Sequence, residues 1–319
     1  MPSAHAGIGM GDELHPDAEQ FLELAEQAPD LHTLTPPEAR AFQRETSLPS
    51  GEPEAVGAVH DTVVRGDGHG IPLRVYVPEG EGPFPTLVWA HGGGFVIGDV
   101  DTEDPVGRAL ANAAGCVVVS VDYRLAPEHP FPAALHDVYD ATAWAAESID
   151  RFDGDPDRLA VGGASAGGNL ATGVARLARD RDAPAIDYQV LVYPVTSYTE
   201  AYPSRAEYDG YFLTREAIAW FDECYLSDPL HGHNPYAYPL EAADHSDLPP
   251  ATVVTAGFDP LWDEGEAYAD AMAEAGVPVE HRHYDDVIHA FFGRLQEPNW
   301  ERAREAVADV AEDLRANLA

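Results

Sequence analysis

Ser165 stands in the pattern G-x-S-x-G, flanked by Gly163 and Gly167, between the apolar run DRLAVGG and the helical stretch NLATGVARLA. A serine hydroxyl is a poor nucleophile. A sharp strand-to-helix turn of small residues lifts it clear of the backbone and aims the next N–H at developing negative charge. The pattern alone also fits a serine that only caps a helix. A second element points to chemistry: His91, Gly92, Gly93, Gly94 and Phe95 directly follow the strand-like TLVWA. Consecutive glycines cost conformational entropy unless the backbone must approach something closely. Two N–H groups of that loop, with the Ala166 N–H, would make an oxyanion hole for a tetrahedral intermediate. A flexible turn is the plainer reading. A phosphate loop is disfavoured, because G-x-x-x-x-G-K-[ST] needs a lysine and the chain has none.

Such a serine needs a base to take its proton and an acid to orient the base. Where the nucleophile sits on a strand-to-helix turn, the chain order is Ser, then Asp or Glu, then His. Asp259 follows the apolar run ATVVTAGF and precedes Pro260, where an acid just past the carboxyl end of a strand belongs. Asp263 lies at a helix start, and capping is its expected role. Of the 14 histidines only His281, His283 and His289 lie beyond Asp259. His281 and His283 alternate within VEHRHY and so share one face of a strand, whereas His289 falls in the loop that follows, DDVIHAFF. His289 is therefore the predicted base. A metal site from His281 with His283, or from His231 with His233, lacks a nearby cysteine or third clear ligand, so no metal is predicted.

Positioning these groups falls to an alternation of short β-branched runs with helical patterns. The runs lie at 73–77, 86–90, 116–121, 158–162, 188–193, 251–256 and 279–284, and the helices at 132–147, 166–181, 263–275 and 298–317. Continuous apolar strands such as CVVVSV and ATVVTA suit a sheet buried on both faces, and the alternation predicts an α/β fold with a mostly parallel sheet. Two segments fall outside this pattern. Residues 12–46 carry Phe21, Leu22, Ala25 and Ala28 at helical spacing, and residues 197–228 carry Ile218, Phe221 and Tyr225. Inserts of this kind often form lids. The expectation is one domain over 1–319, with a helical cap from about 1–50 and 197–228 on a catalytic core of about 51–196 and 229–319.

The charge balance constrains partners and solvent. With 56 acidic residues and 18 basic ones, all arginine, the net charge is −38. Such a field repels phosphate backbones and anionic lipid surfaces, which argues against nucleic-acid or membrane binding. The acids are scattered, not gathered in a tail. At molar salt the Debye length is only ~3 Å, so self-repulsion is screened while carboxylates keep the surface hydrated. Codon bias could replace lysine by arginine but would not give three acids per base, so the expectation is a halophilic protein. Cys116 and Cys224 make no disulfide framework. The segment MPSAHAGIGMGDELHPDAEQ has neither a basic nor an apolar region of a signal peptide, and no run approaches the ~18 apolar residues of a membrane span, so a cytoplasmic location is expected.

Taken together, HGGGF at 91–95, DYRLAPEHPFPAAL at 122–135, the SAGGN run ending at Asn169, AGFDPL at 256–261 and the late His289 resemble the hormone-sensitive lipase family of α/β-hydrolases. LHTLTPPEAR at 31–40 is similar to that family's cap, and GYFLT at 210–214 extends the likeness to nearly the whole chain. The resemblance implies an α/β-hydrolase with a helical cap and a carboxylesterase acting on small-molecule esters of short to medium chain. Carried over by matching position, Ser165 is the nucleophile, Asp259 the acid and His289 the base, with oxyanion donors at Gly92, Gly93 and Ala166. No metal or organic cofactor is implied. A homodimer is common in the family. Asp122 and Arg124 match a structural signature and are expected to be a buried, hydrogen-bonded pair. The chain departs from the family at Ala164, where Asp or Glu is usual, at Ala290 in place of glycine, and at Trp262 where arginine is frequent. An amidase or lactonase with the same triad is the nearer alternative. A non-catalytic ligand-binding protein on this scaffold is the more distant one, since such proteins tend to lose the triad histidine.

Overall fold

The apolar runs form one sheet in a computed structural model that describes residues 13–48, 51–199, 201–296 and 298–319. Residue 12 of the first predicted helical segment, and residues 1–12, 49–50 and 200 of the predicted cap, lie outside the described residues. The strands are β1 (Ala58–Arg65), β2 (Gly70–Val77), β3 (Phe84–Ala90), β4 (Val117–Val121), β5 (Gly154–Ala164), β6 (Tyr188–Val192), β7 (Ala251–Phe258) and β8 (Val279–Ile288), in the order β1-β2-β4-β3-β5-β6-β7-β8. β2 runs antiparallel to both β1 and β4, and every other pairing is parallel. The mostly parallel sheet expected from the alternation is present.

The helices are α1 (Pro16–Ala25), α2 (Pro36–Ser47), α3 (Asp104–Ala114), α4 (Ala133–Ser148), α5 (Ala166–Arg181), α6 (Ser204–Glu207), α7 (Arg215–Tyr225), α8 (Trp262–Glu274) and α9 (Glu301–Asn317). The two-residue period of a strand divides the core between them. Val88, Val119, Val161, Leu191 and Val253 bury one face of the sheet with Val138 of α4, Leu170 of α5 and Met272 of α8. Their neighbours Leu87, Val118, Ala160, Val190 and Val254 bury the other with Leu110 of α3 and Val310 of α9.

Two elements escape the sequence patterns. β1 is an edge strand in which Val64 alone is buried and Val63 is two-thirds exposed, so it has no continuous apolar run. α3 draws its buried face from Val106, Ala109, Leu110 and Ala114 among glycine and asparagine, and ends at Gly115 in the left-handed conformation. The predicted Asp122–Arg124 pair is not formed. Arg124 instead holds Asp137 of α4 in a forked contact at 2.8 and 2.9 Å, and the Asp137 carboxylate also accepts the Arg124 N–H. Burial beside Asp99 and Asp101 pushes the Asp122 carboxyl up to about 6. Asp122 and Arg124 lie beyond the end of β4, where no strand period sets their faces, and α4 supplies the partner of Arg124.

Candidate active site

β5 runs straight into α5, and Ser165 is the turn between them, with φ +57 and ψ −118. This is a sparsely populated conformation for a residue with a side chain, and it is held from both sides. The Ser165 N–H donates to Val192 O at 2.8 Å, and Ser165 O accepts the Asn169 N–H at 3.0 Å. Small residues are required here by close approach. A Cβ on Gly167 would lie 2.0 Å from Ala90 O, so only glycine lets the helix start pass over the end of β3.

The predicted residues converge on Ser165. His289 Nε2 lies 3.0 Å from Ser165 Oγ, and His289 Nδ1 lies 2.7 Å from Asp259 Oδ2. Asp259 is fully buried and His289 nearly so. The other Asp259 oxygen accepts the Leu261 N–H at 2.9 Å, which fixes the carboxylate after β7. Because a carboxylate can only accept, His289 Nδ1 must carry its proton, leaving Nε2 free to accept from the serine. The ring of Tyr193, which follows β6, packs on the imidazole at 4.6 Å between centroids. Ala290, where glycine is usual, is in the left-handed region at φ +66.

On the opposite side stands the glycine loop. Among the described residues, the N–H groups of Gly92, Gly93 and Ala166 donate to no protein acceptor. His91 anchors this loop: its Nδ1 donates to Gly92 O at 2.7 Å, and its ring stacks on Tyr123, whose hydroxyl donates to His91 O at 2.8 Å. Burial pulls His91 down to about 4, so it stays neutral. His91 and Tyr123 lie in the HGGGF and DYRLAPEHPFPAAL runs that carry the resemblance, where neither had a role of its own, and both support the loop. Asn169 is a further support, donating from the helix to Val195 O and Ala237 O.

Two predicted alternatives resolve differently. Asp263 does not cap its own helix. It sits in the first turn of α8 and its carboxylate accepts the N–H of Ser204, where α6 begins. His281 and His283 do share a strand face, where both contact the Thr255 hydroxyl, at 2.8 and 2.9 Å, and Trp262 stacks on His283. His231 packs on Phe131 and His233 pairs with Glu241. Among the described residues no group of three metal-ligating side chains converges. Cys116 and Cys224 are free.

Ser165 and His289 open on a cavity of about 1320 Å³ whose wall includes Phe21, Leu22 and Leu24 of α1, Phe42 and Gln43 of α2, and Ala217, Ile218 and Phe221 of α7. Both segments that broke the α/β alternation therefore contribute to it. Arg40 of α2 ties the first of them down, donating to Val96 O and Ala126 O at 2.8 Å and pairing with Glu128 at 2.6 Å. The second is fastened by a buried ion pair, Arg205 with Glu264 of α8 at 2.6 Å, in which Glu264 also accepts the Thr196 N–H. In the same cavity wall, Glu103 accepts the Trp89 indole N–H at 2.9 Å, and burial pushes its carboxyl up to about 7. Among the described residues no helix is long and apolar enough to cross a membrane.

Known proteins share this fold. A Mycobacterium tuberculosis protein named carboxylic ester hydrolase LipN is 42% identical over 265 residues, which are 81% of this chain and 70% of that protein. An ethyl acetate hydrolase of Pseudomonas putida is 36% identical over 320 residues, covering 96% of this chain and 99% of the relative. A solved structure of a hyperthermophilic esterase from the archaeon Pyrobaculum calidifontis has a TM-score of 0.88 at 42% identity, covering 95% of this chain and 98% of that one. Residues 87–293 match the family described as alpha/beta hydrolase fold, and this chain belongs to it.

Proposed function

We infer that this chain is a serine carboxylesterase that hydrolyses short- to medium-chain carboxylic esters through an acyl-serine intermediate. One observation carries the mechanism: Asp259, His289 and Ser165 are linked by hydrogen bonds of 2.7 and 3.0 Å beside unpaired backbone N–H groups. Relatives named esterases along most of the chain support the reaction class.

His289 Nε2 takes the Ser165 proton as Oγ attacks the ester carbonyl, and Asp259 stabilises the imidazolium. The carbonyl oxygen becomes an oxyanion held by the Gly92, Gly93 and Ala166 N–H groups, where losing one donor typically costs ~3–4 kcal/mol. Collapse breaks the ester C–O bond, and His289 returns the proton to the departing alkoxide. Water, deprotonated by the same imidazole, then releases the acid and regenerates Ser165. The segments at about 1–50 and 197–228 act as a cap over this site.

A panel of p-nitrophenyl esters of increasing chain length, run beside an anilide in molar salt, tests the reading. Hydrolysis of the short esters without amide turnover, abolished in a folded Ser165→Ala variant, is the expected result. Wild-type turnover by Ser165→Ala would overturn it.

The solvent reading rests on the net charge of −38. The enzyme works in concentrated KCl or NaCl inside the cell, as a homodimer, and loses structure when salt is removed and its carboxylates repel one another. Circular dichroism and activity across a salt titration test the halophily; full stability in dilute buffer would refute it. Light scattering in molar salt tests the dimer, and a monomer mass would exclude it.

A further inference from the structure

Arg294 is the only arginine in the cavity wall among the described residues. It follows His289 by five positions, across the short turn Phe291–Gly293. Its guanidinium lies 4.0 Å from the centroid of Phe21 on α1, 5.6 Å from Phe212 and 6.0 Å from Trp300. Phe21 and Trp300 meet edge to face, as do Phe21 and Phe212, so the guanidinium sits in an aromatic cage. Among the described residues its side chain makes no hydrogen bond and no ion pair.

That isolation breaks the pattern of the chain. The half-buried arginines Arg40, Arg74, Arg108, Arg124 and Arg282 each hold a carboxylate, and the buried Arg205 holds Glu264; the buried Arg176 has no carboxylate but still donates to Asp244 O and meets His245 Nδ1. With 56 acids available for 18 arginines, a carboxylate partner for Arg294 would be easy to supply. Burial lowers its pKa to about 10, and the one ionisable group acting on it is the Tyr193 phenol, whose ring also packs on His289. A guanidinium has five N–H donors in a planar fork, and those of Arg294 line the cavity without a protein acceptor among the described residues. Cation–π contact returns about 0.5–2 kcal/mol but leaves the in-plane donors unmet. The group that fits this fork is a carboxylate, which accepts two parallel hydrogen bonds.

We propose that Arg294 binds a carboxylate carried by the substrate, so that the site prefers esters bearing an ionised carboxylate besides the ester that is cleaved. Half-esters of dicarboxylic acids and acyl esters of hydroxy acids are the two forms of such a substrate. The proposal rests on the esterase reading above. Arg294 acts as a specificity-determining residue whose cage, built partly by Phe21 and Phe212, forms only with the cap segments in place. The overall negative field opposes such substrates at long range, and molar salt screens it within ~3 Å, so the local fork decides.

The test compares matched substrates at constant high salt by pH-stat. One arm puts the carboxylate on the acyl half, with ethyl hydrogen glutarate against ethyl pentanoate. The other puts it on the alcohol half, with O-acetylglycolate against O-acetylglycolamide. The wild type should favour the anionic member in at least one arm, which also tells which half carries the charge. In Arg294→Gln, kcat/KM for that anionic ester should fall about 30-fold or more beyond any fall for its neutral partner, mainly through KM, with partial recovery in Arg294→Lys. Equal losses on both members, or a wild-type preference for the neutral member in both arms, would overturn the proposal. Should Arg294→Gln not fold, inhibition of the wild type decides: pentanoate must inhibit neutral-ester hydrolysis at least about tenfold more strongly than pentanamide, and equal inhibition refutes the assignment. Failure of the wild type to hydrolyse any of these esters, neutral or anionic, is a separate result, which would overturn the esterase reading and this proposal with it.

Discussion

The Phe221 ring of α7 occupies the space that a side chain on Gly94 would need. A Cβ built at Gly94 would lie 2.2 Å from two of its ring carbons, and the Gly94 backbone is in the left-handed region at φ +56. Next to it, Phe95 stacks face to face on Tyr225 of the same helix, with centroids 3.7 Å apart. The glycine loop beside Ser165 and the helix over the cavity are thus packed as one unit.

Gly94→Ala is therefore predicted to damage catalysis more than folding. A left-handed alanine costs about 1–2 kcal/mol, and the methyl must also displace Phe221, shifting the adjacent donors. kcat should fall about 100-fold, the order seen when one oxyanion donor is lost. Adding Phe221→Ala frees the space but not the backbone, so the double variant should recover part of the loss. A double-mutant cycle on kcat measures the coupling, and simple additivity would show that the two residues act independently.

Asp259→Asn keeps the shape of the side chain and inverts its hydrogen bonding. An amide N–H facing His289 Nδ1 would drive the ring proton to Nε2, where it can no longer accept from Ser165. The expected loss is about 10⁴-fold in kcat with little change in KM. Single-turnover kinetics on an activated ester will show it in the acylation step. His281→Ala should leave that step near wild type, since His281 contacts Thr255 and lies outside the cavity.

Arg205 and Glu264 are both almost inaccessible to solvent, and Glu264 additionally holds the Thr196 and Ser197 N–H groups. Arg205→Met leaves that carboxylate buried without its counter-ion, and stability should drop by about 3–5 kcal/mol. Chemical denaturation at fixed salt measures it. A loss below about 1 kcal/mol, the scale of a surface pair, would mean the pair is solvated in the native protein.

Glu103 gives a pH signature of definite sign. Its carboxyl is raised from 4.5 to about 7 in the folded protein, so between those values the native state binds the proton more tightly than the unfolded chain. Stability from this group is complete below about pH 4.5 and is lost as pH rises through about 7. A glutamine at this position would carry no charge yet still accept the Trp89 N–H. Glu103→Gln should thus match the wild type near pH 4 and exceed it by about 1–3 kcal/mol at pH 8, allowing for water in the cavity. Denaturation midpoints at the two pH values check this, and a gap that widens towards acid would reverse the assignment.

The residues of the proposed site were legible because each is announced by its own neighbours. Ser165, Asp259 and the loop at Gly92–Gly93 directly follow β5, β7 and β3, and His289 directly follows β8. Glycine or proline stands beside each of the first three because a sharp turn there is a local requirement. Short β-branched runs announced seven of the strands, and those of β4, β6 and β7 are buried nearly throughout. The exposed edge strand β1 and the alanine-rich α3 lacked that signal, since few of their residues needed to be large and apolar.

What only the tertiary structure decided is which side chains meet. Asp137 took Arg124 from Asp122, Asp263 caps the start of α6 instead of its own helix, and Glu264 anchors the insert through Arg205. His289 and Ser165 touch across 124 positions of chain, and Arg294 finds an aromatic cage assembled from α1, the insert and the segment before α9. Residue types state what a group can donate, accept or attack, and periodicity states which face it occupies. Partnership depends on how the faces of distant elements are brought together, and that is set by packing of the whole core.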